Sequence, residues 1–387
     1  MRSQERGACS TIGIMSETRA GTGSSPPAKT FLSPTYEGDF VLDEPLKLEC
    51  GRVLTGVTLH YAVYGRLNAR RDNAVLVCHA LTGSALVGEW WPEIFAPGAV
   101  LSLEQDFVIC INLLGSCYGS TGPGSVNPDT GAIYGRDFPL VSIRDNVRAQ
   151  AKLLDSLGVR RLRLVLGGSI GGMQALDWAI HDPKRVGRAV VIGVAPLCAM
   201  GLALNHLQRQ AIQHDPEWMG GNYLPQRPPR RGLGFARQIA MLSYKSAELF
   251  DERFGRKPNR SGEDPWAADG EACGLLGGRF DIAGYLDHQG ERFIERFDAN
   301  SYLAILRTMD IWDPLRGASP EEAFGGIRAR LSFVGISSDW LFPPQTVRDF
   351  AYTIRAAGVE ADYREMTSAH GHDAFLAEQV ELVRLLQ

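Results

Sequence analysis

The sequence predicts an α/β domain: a mainly parallel sheet with helices on both faces, interrupted by a helical lid insertion. Three observations predict it. Short, wholly apolar runs recur along the chain, as strands buried on both faces require. Segments with helical spacing of apolar residues lie between them, and such alternation builds a parallel sheet. From about 196 to 320 the rhythm stops, leaving helical patterns and polar, Pro-rich loops without a buried strand.

Strand patterning begins near Phe40. Residues 53–64 mix alternation with a turn at Thr55-Gly56, which predicts a hairpin at the edge of the sheet. The buried runs are 74–78, 107–113, 162–166, 189–194 and 331–334, with a more polar strand at 361–366. Residues 143–157 read as a helix closed by Gly158, and 173–180 as another stopped by Asp182-Pro183. In the insertion, 202–212 and 235–250 are helical patterns, and 225–232 and 256–265 are loops. The basic run Arg227-Pro228-Pro229-Arg230-Arg231 reads as a solvated loop. The division is therefore a disordered tail over 1–30, core over 31–196, lid over 197–320 and core again over 321–387.

A chain of 387 residues suits one large domain carrying an insertion. Its 44% apolar and 22% charged residues are ordinary for a globular protein. A net charge of -4 gives no reason to expect nucleic acid or an anionic membrane as partner. The cysteines (Cys9, Cys50, Cys78, Cys110, Cys117, Cys198, Cys273) are odd in number and irregularly spaced. That argues against a disulfide framework and for a reducing, cytoplasmic compartment. No C-x-x-C or H-E-x-x-H pattern marks a metal site. No apolar run approaches the ~20 residues of a membrane span. The first thirty residues lack an apolar signal region, and Glu5 and Glu17 weaken a transit-peptide reading. They read as a tail, or as an over-extended start with Met15 as initiator.

Gly167-Gly168-Ser169-Ile170-Gly171 fits G-x-S-x-G, the sharp strand-to-helix turn that lifts a serine above the sheet in the α/β-hydrolase fold. The pattern by itself is weak. Here it directly follows the run 162–166 and precedes a helical pattern, which is the context the turn requires. A serine hydroxyl needs a base, and the base an orienting carboxylate. In this fold they follow in the order serine, acid, histidine, each after a strand. Asp339 follows the strand ending at 334, and His372 the strand ending near 366. His370 remains a competitor by adjacency, while Asp310 and Asp313 fall in the insertion. The oxyanion donors are the backbone amides of Ile170 and Leu81, the latter in the loop His79-Ala80-Leu81-Thr82-Gly83-Ser84. His79, at a strand end, reads as structural.

The stretches 78–83, 112–123 and 167–174 closely resemble the homoserine O-acetyltransferases of the α/β-hydrolase superfamily, acyltransferases of methionine biosynthesis. So do Gln208-Arg209-Gln210-Ala211-Ile212, Phe297-Asp298-Ala299-Asn300-Ser301-Tyr302 and Gly371-His372-Asp373-Ala374-Phe375-Leu376. The likeness runs from about Phe40 to the C-terminus. It implies a ping-pong transfer in which acetyl-CoA acylates Ser169 and the homoserine hydroxyl attacks the acyl-enzyme with His372 as base. It selects His372 over His370, and points to Arg209 for the substrate carboxylate and Asp373 for its ammonium. No cofactor is implied beyond acetyl-CoA as co-substrate. The likeness also implies a homodimer through the lid helices. Two departures stand out: Ile170 where many members carry methionine, and Ser84-Ala85-Leu86 where a polar or acidic residue is common. The second leaves the acyl donor open, since relatives use succinyl-CoA, or serine as acceptor. A serine hydrolase is the nearest rival, sharing the same triad. A non-catalytic binding protein on this fold is the third reading.

Overall fold

Wholly apolar strands are stable only where both sheet faces are covered. The computed structural model, which describes residues 31–267, 274–275 and 277–387, covers both. Its strands are β1 (Tyr36–Val41), β2 (Leu46–Lys47), β3 (Val53–Leu54), β4 (Thr58–Gly65), β5 (Ala74–Cys78), β6 (Phe107–Ile111), β7 (Leu162–Gly168), β8 (Arg188–Ile192), β9 (Arg330–Ile336) and β10 (Ala361–Met366). Eight of them form one sheet in the order β1-β4-β6-β5-β7-β8-β9-β10. The β1–β4 and β4–β6 pairs are antiparallel. All other pairs of that sheet are parallel. The chain thus adopts the α/β-hydrolase fold expected of it. The tail expected over 1–30, with Cys9, and Cys273 lie outside the described residues.

The helices before β8 are α1 (Val87–Trp90), α2 (Ile143–Ser156) and α3 (Ile170–His181). Between β8 and β9 come α4 (Ala199–Gln213), α5 (Arg230–Tyr244), α6 (Ala247–Arg253), α7 (Asp281–Ile294), α8 (Ala299–Asp310) and α9 (Pro320–Phe324). Then follow α10 (Pro344–Ala356), α11 (Ala374–Ala377) and α12 (Gln379–Leu386). Alternate strand residues feed two cores. Leu76, Cys78, Ile109 and Val165 pack with Leu153, Trp178 and Phe350 on one face. Val75, Val77, Val108 and Leu166 pack with Trp91, Phe375 and Leu382 on the other. Each fully buried side chain of this kind stabilises the fold by about 1.5–3 kcal/mol. Polar contacts fix the helices as well. Ser142 caps α2 in a reciprocal capping box with Asp145. Trp178 of α3 donates to Gln150 Oε1 of α2 at 3.0 Å.

Two local expectations are corrected. Residues 53–64 do not form a hairpin: β3 pairs with β2 in a separate two-stranded sheet, while β4 lies inside the main sheet. Strand β1 takes the edge instead. Its six residues are all exposed or half-buried and so carry no apolar run to announce it. The pattern 235–250 is two helices, not one. Ser246 adopts extended backbone and its hydroxyl accepts the Leu249 N–H at 3.1 Å, which starts α6 afresh.

Among the described residues, no helix is long and apolar enough to cross a membrane. The parallel strands end together, so the turns after β5, β7, β9 and β10 meet along one edge of the sheet. That edge is where ligands meet folds of this type.

Candidate active site

Ser169 is the hinge between β7 and α3, with φ 58° and ψ −131°. A left-handed φ strains a residue that carries a side chain, and such strain concentrates at functional positions. The turn is tight enough to require glycine on both sides. A Cβ on Gly171 would lie 2.2 Å from the Cys78 carbonyl oxygen, and one on Gly167 2.5 Å from the Gly171 carbonyl carbon. The Ser169 N–H donates to the Ile192 carbonyl at 2.9 Å, tying the turn to β8.

Asp339 stands on the turn after β9 and is 3% exposed. Its Oδ1 accepts the N–H groups of Leu341 and Phe342, each at 2.9 Å. Its Oδ2 faces His372 Nδ1 at 2.6 Å. A carboxylate only accepts, so Nδ1 carries the proton and Nε2 is left with a lone pair. That Nε2 is buried and has no hydrogen-bond partner among the described residues. The ring is held by Phe342 at 5.2 Å, Phe375 at 5.9 Å and Tyr244 at 6.2 Å between centroids. Ser169 and His372 line one cavity. The structure therefore brings Ser169 and His372 to one cavity with Asp339 bonded behind the ring, the arrangement that a nucleophile, a base and an orienting acid require.

Burial works against protonating His372, but the Asp339 carboxylate outweighs it and leaves the ring above the ordinary histidine value. The base must be unprotonated to act. The acid limb of kcat/KM is thus expected to inflect above about 6.5, the ordinary histidine pKa. A pH–rate profile checks this, and an inflection below that value would contradict it.

Leu81 lines the same cavity. Neither its N–H nor that of Ile170 donates to a protein acceptor among the described residues, so both are available to an oxyanion. His79 is fully buried, and burial pulls its pKa down to about 4. Its Nδ1 donates to the Ala80 carbonyl at 2.8 Å, and its Nε2 accepts the Leu113 N–H at 3.2 Å. A neutral ring with both nitrogens engaged by backbone is no base. It orients the peptide that carries the Leu81 N–H. His370 points elsewhere, with Nε2 3.9 Å from Glu378.

Residues 73–378 match the model of the α/β-hydrolase fold family. The chain is 49% identical over 351 residues to a homoserine O-acetyltransferase of Symbiobacterium thermophilum, covering 87% of this chain and 89% of that one. The chain belongs to the homoserine O-acetyltransferase family. It is also 42% identical to a homoserine O-succinyltransferase of Acidithiobacillus ferrooxidans, over 88% of this chain and 91% of that one. Among solved structures, the homoserine O-acetyltransferase of Bacillus anthracis superposes with a TM-score of 0.80. It is 26% identical, over 91% of this chain and 98% of that one.

Both residues that the homoserine O-acetyltransferase likeness points to for substrate binding carry protein partners, and one of them stands at the cavity. Arg209, on α4, does not line the cavity. Its guanidinium pairs with Asp310, whose carboxylate is 4% exposed and accepts a further bond from Asn205 at 2.8 Å. A buried carboxylate left alone is costly, so Arg209 is committed to neutralising it. Asp373 does line the cavity, but it pairs with Lys245 at 3.2 Å.

The cations that sequence reasoning missed are Arg237, Lys245 and Arg296, all at the cavity wall. Arg237 packs its guanidinium over Tyr244 at 5.3 Å and Phe293 at 5.1 Å, with no carboxylate partner among the described residues. Arg296 Nη1 donates to the Thr82 carbonyl at 3.0 Å and to the Tyr118 hydroxyl at 2.6 Å. No local pattern marks Arg237, since its meaning lies in which helix α5 packs against. A larger cleft of about 690 Å³ lies among α2, the C-terminal end of α3, α9 and the segment after α8. Neither Ser169, His372 nor Asp339 lines it.

Proposed function

We propose that this chain is an acyl-CoA-dependent O-acyltransferase that moves the acetyl group of acetyl-CoA to the side-chain hydroxyl of L-homoserine, a step of methionine biosynthesis. The observation that carries the reading is the free, buried Nε2 of His372, held by Asp339 and sharing a cavity with Ser169 and two unengaged backbone amides. Nε2 takes the Ser169 proton as Oγ bonds to the thioester carbonyl carbon. The oxyanion sits between the Leu81 and Ile170 amides. The tetrahedral species collapses, the C–S bond breaks, and the CoA thiolate leaves with the proton from His372. The homoserine hydroxyl then attacks the acyl-serine, giving its proton to Nε2, and Ser169 is restored with that proton. The chemistry needs no metal or redox partner.

The charges of the cavity favour this donor and acceptor. Lys245 is paired with Asp373, and Arg296 is engaged by Thr82 and Tyr118. Among the described residues of the wall, Arg237 is left without a carboxylate partner, and it can pair with one substrate carboxylate, that of homoserine. A succinyl group would bring a second carboxylate. The substrate ammonium falls to Asp373, shared with Lys245. We assign helices α4 to α8 to a lid, which shields the acyl-enzyme from water. Exposed Met200 and Leu207 on α4, and Phe235 and Leu242 on α5, are each seven residues apart and so share a face. They support a homodimer through the lid. The proposed compartment is the cytoplasm.

Intact-mass spectrometry after mixing with acetyl-CoA or succinyl-CoA tests the reading. An acetyl adduct that disappears on adding homoserine, and is absent in Ser169→Ala, is expected. A succinyl adduct would change the donor, and loss of the adduct in buffer alone would favour the hydrolase. In the same series Arg237→Ala is expected to raise the homoserine KM by about 10–100-fold, the worth of a charged hydrogen-bonded pair. Formation of the acyl-enzyme should be unaltered.

A further inference from the structure

The turn that presents the Leu81 amide is short, closed by a bond from the Gly83 N–H to the Ala80 carbonyl at 2.9 Å. Two side chains hold its carbonyls. His79 takes that of Ala80 from within the core. Arg296 takes that of Thr82 from outside, and it belongs to the insertion, two residues past α7. Among the described residues it is the one side chain of the insertion hydrogen-bonded to this turn. Its own position is fixed in turn. The guanidinium lies over the Phe293 ring at 5.1 Å and donates a second bond to Tyr118, on the loop after β6. Phe293 belongs to α7, which packs along α5, where Arg237 and Tyr244 sit.

From this we infer that Arg296 is a positioning residue for the oxyanion hole, which makes correct seating of the insertion a condition for stabilising the tetrahedral intermediate. The inference rests on the acyl-transfer reading above, and deepens it. A charge-assisted bond to the Thr82 carbonyl holds the 82–83 peptide, and with it the turn whose other end aims the Leu81 N–H. The charge also lies at the cavity wall, where a developing oxyanion feels it in a poorly solvated surrounding. Among the described residues, Arg296 has no hydrogen bond or ring contact with the nucleophile or the base. Its effect is therefore on the transition state rather than on homoserine affinity.

The test compares Arg296→Met and Arg296→Lys with wild type and Ser169→Ala, using purified full-length protein. The expected result for Arg296→Met is a kcat lowered by about 10–100-fold, bounded by the cost of losing one whole oxyanion donor. The homoserine KM should stay within about twofold, and free guanidinium in solution should restore part of the rate. An ammonium reaches the same carbonyl, so Arg296→Lys should fall between the two; it also serves where the methionine variant folds poorly. Binding of a boronic acid, which places a tetrahedral oxyanion on Ser169, should weaken in parallel with kcat. Unchanged kcat, or a raised homoserine KM at full kcat, would overturn the inference. So would a lowered kcat with undiminished boronate binding. Ser169→Ala separates the two levels: turnover without Ser169 would defeat the acyl-enzyme reading itself. An inactive Ser169→Ala beside a fully active Arg296→Met defeats only the positioning role.

Discussion

Asp339→Asn is expected to lower kcat by about 10⁴-fold, with homoserine binding and melting temperature close to wild type. The size of the effect follows from where the two carboxylate oxygens go. Oδ1 is held by two backbone N–H groups, of Leu341 and Phe342, that can only donate. An asparagine side chain must therefore keep its carbonyl oxygen there, and turn its NH₂ toward His372. The imidazole then has to accept at Nδ1, so its proton moves to Nε2. That is the tautomer that cannot take a proton from Ser169. Volume and shape are conserved, and the buried amides keep their acceptor, so the fold has little reason to weaken. Steady-state rates, with thermal unfolding as control, check both halves. A loss below about tenfold would mean that Asp339 does not fix the tautomer, and the acid would have to be sought elsewhere.

Gly171→Val is expected to abolish the folded protein rather than the chemistry alone. A Cβ at this position would sit 2.2 Å from the Cys78 carbonyl oxygen and 3.0 Å from that of His79. These are backbone atoms of β5 and the oxyanion turn, so no rotamer change relieves the clash. Either α3 must withdraw from the sheet or the end of β5 must move. Both would disturb Trp178, Met173 and the other fully buried residues of α3. The cost belongs with the largest known for single substitutions, above about 4 kcal/mol. Yield of soluble protein and circular dichroism would report it. A stable, folded variant with full activity would show that the elbow is looser than its packing implies.

Some of this molecule was written locally and some was not. The parallel strands were legible because burial on both faces forces continuous apolar runs such as 74–78 and 162–166. The elbow was legible because steric contact across a tight turn demands glycine at fixed offsets. Chain order in this fold confines the acid and the histidine to turns after strands, which offers Asp339 but leaves His372 beside His370; only the family resemblance separates those two. The exposed edge strand β1 left no such trace, since water on its outer side relaxes the demand for apolar residues. The break between α5 and α6 rests on one serine, Ser246, and apolar spacing alone runs straight through it.

The order of the candidate triad along the chain, and the turn that presents its serine, follow from chain order and turn sterics, which are written in the sequence. The cavity around it is not. Arg209 sits in a stretch that resembles the family, yet the buried carboxylate of Asp310 claims it, a partner 101 positions away along the chain. Arg237 and Arg296 carry no motif, and come to the cavity wall through the packing of α5 against α7 and, for Arg296, its bond to the Thr82 carbonyl. Which charge is spent inside the protein and which is left for a substrate depends on pairings between distant segments. Local pattern cannot encode those, and only the tertiary structure decided them.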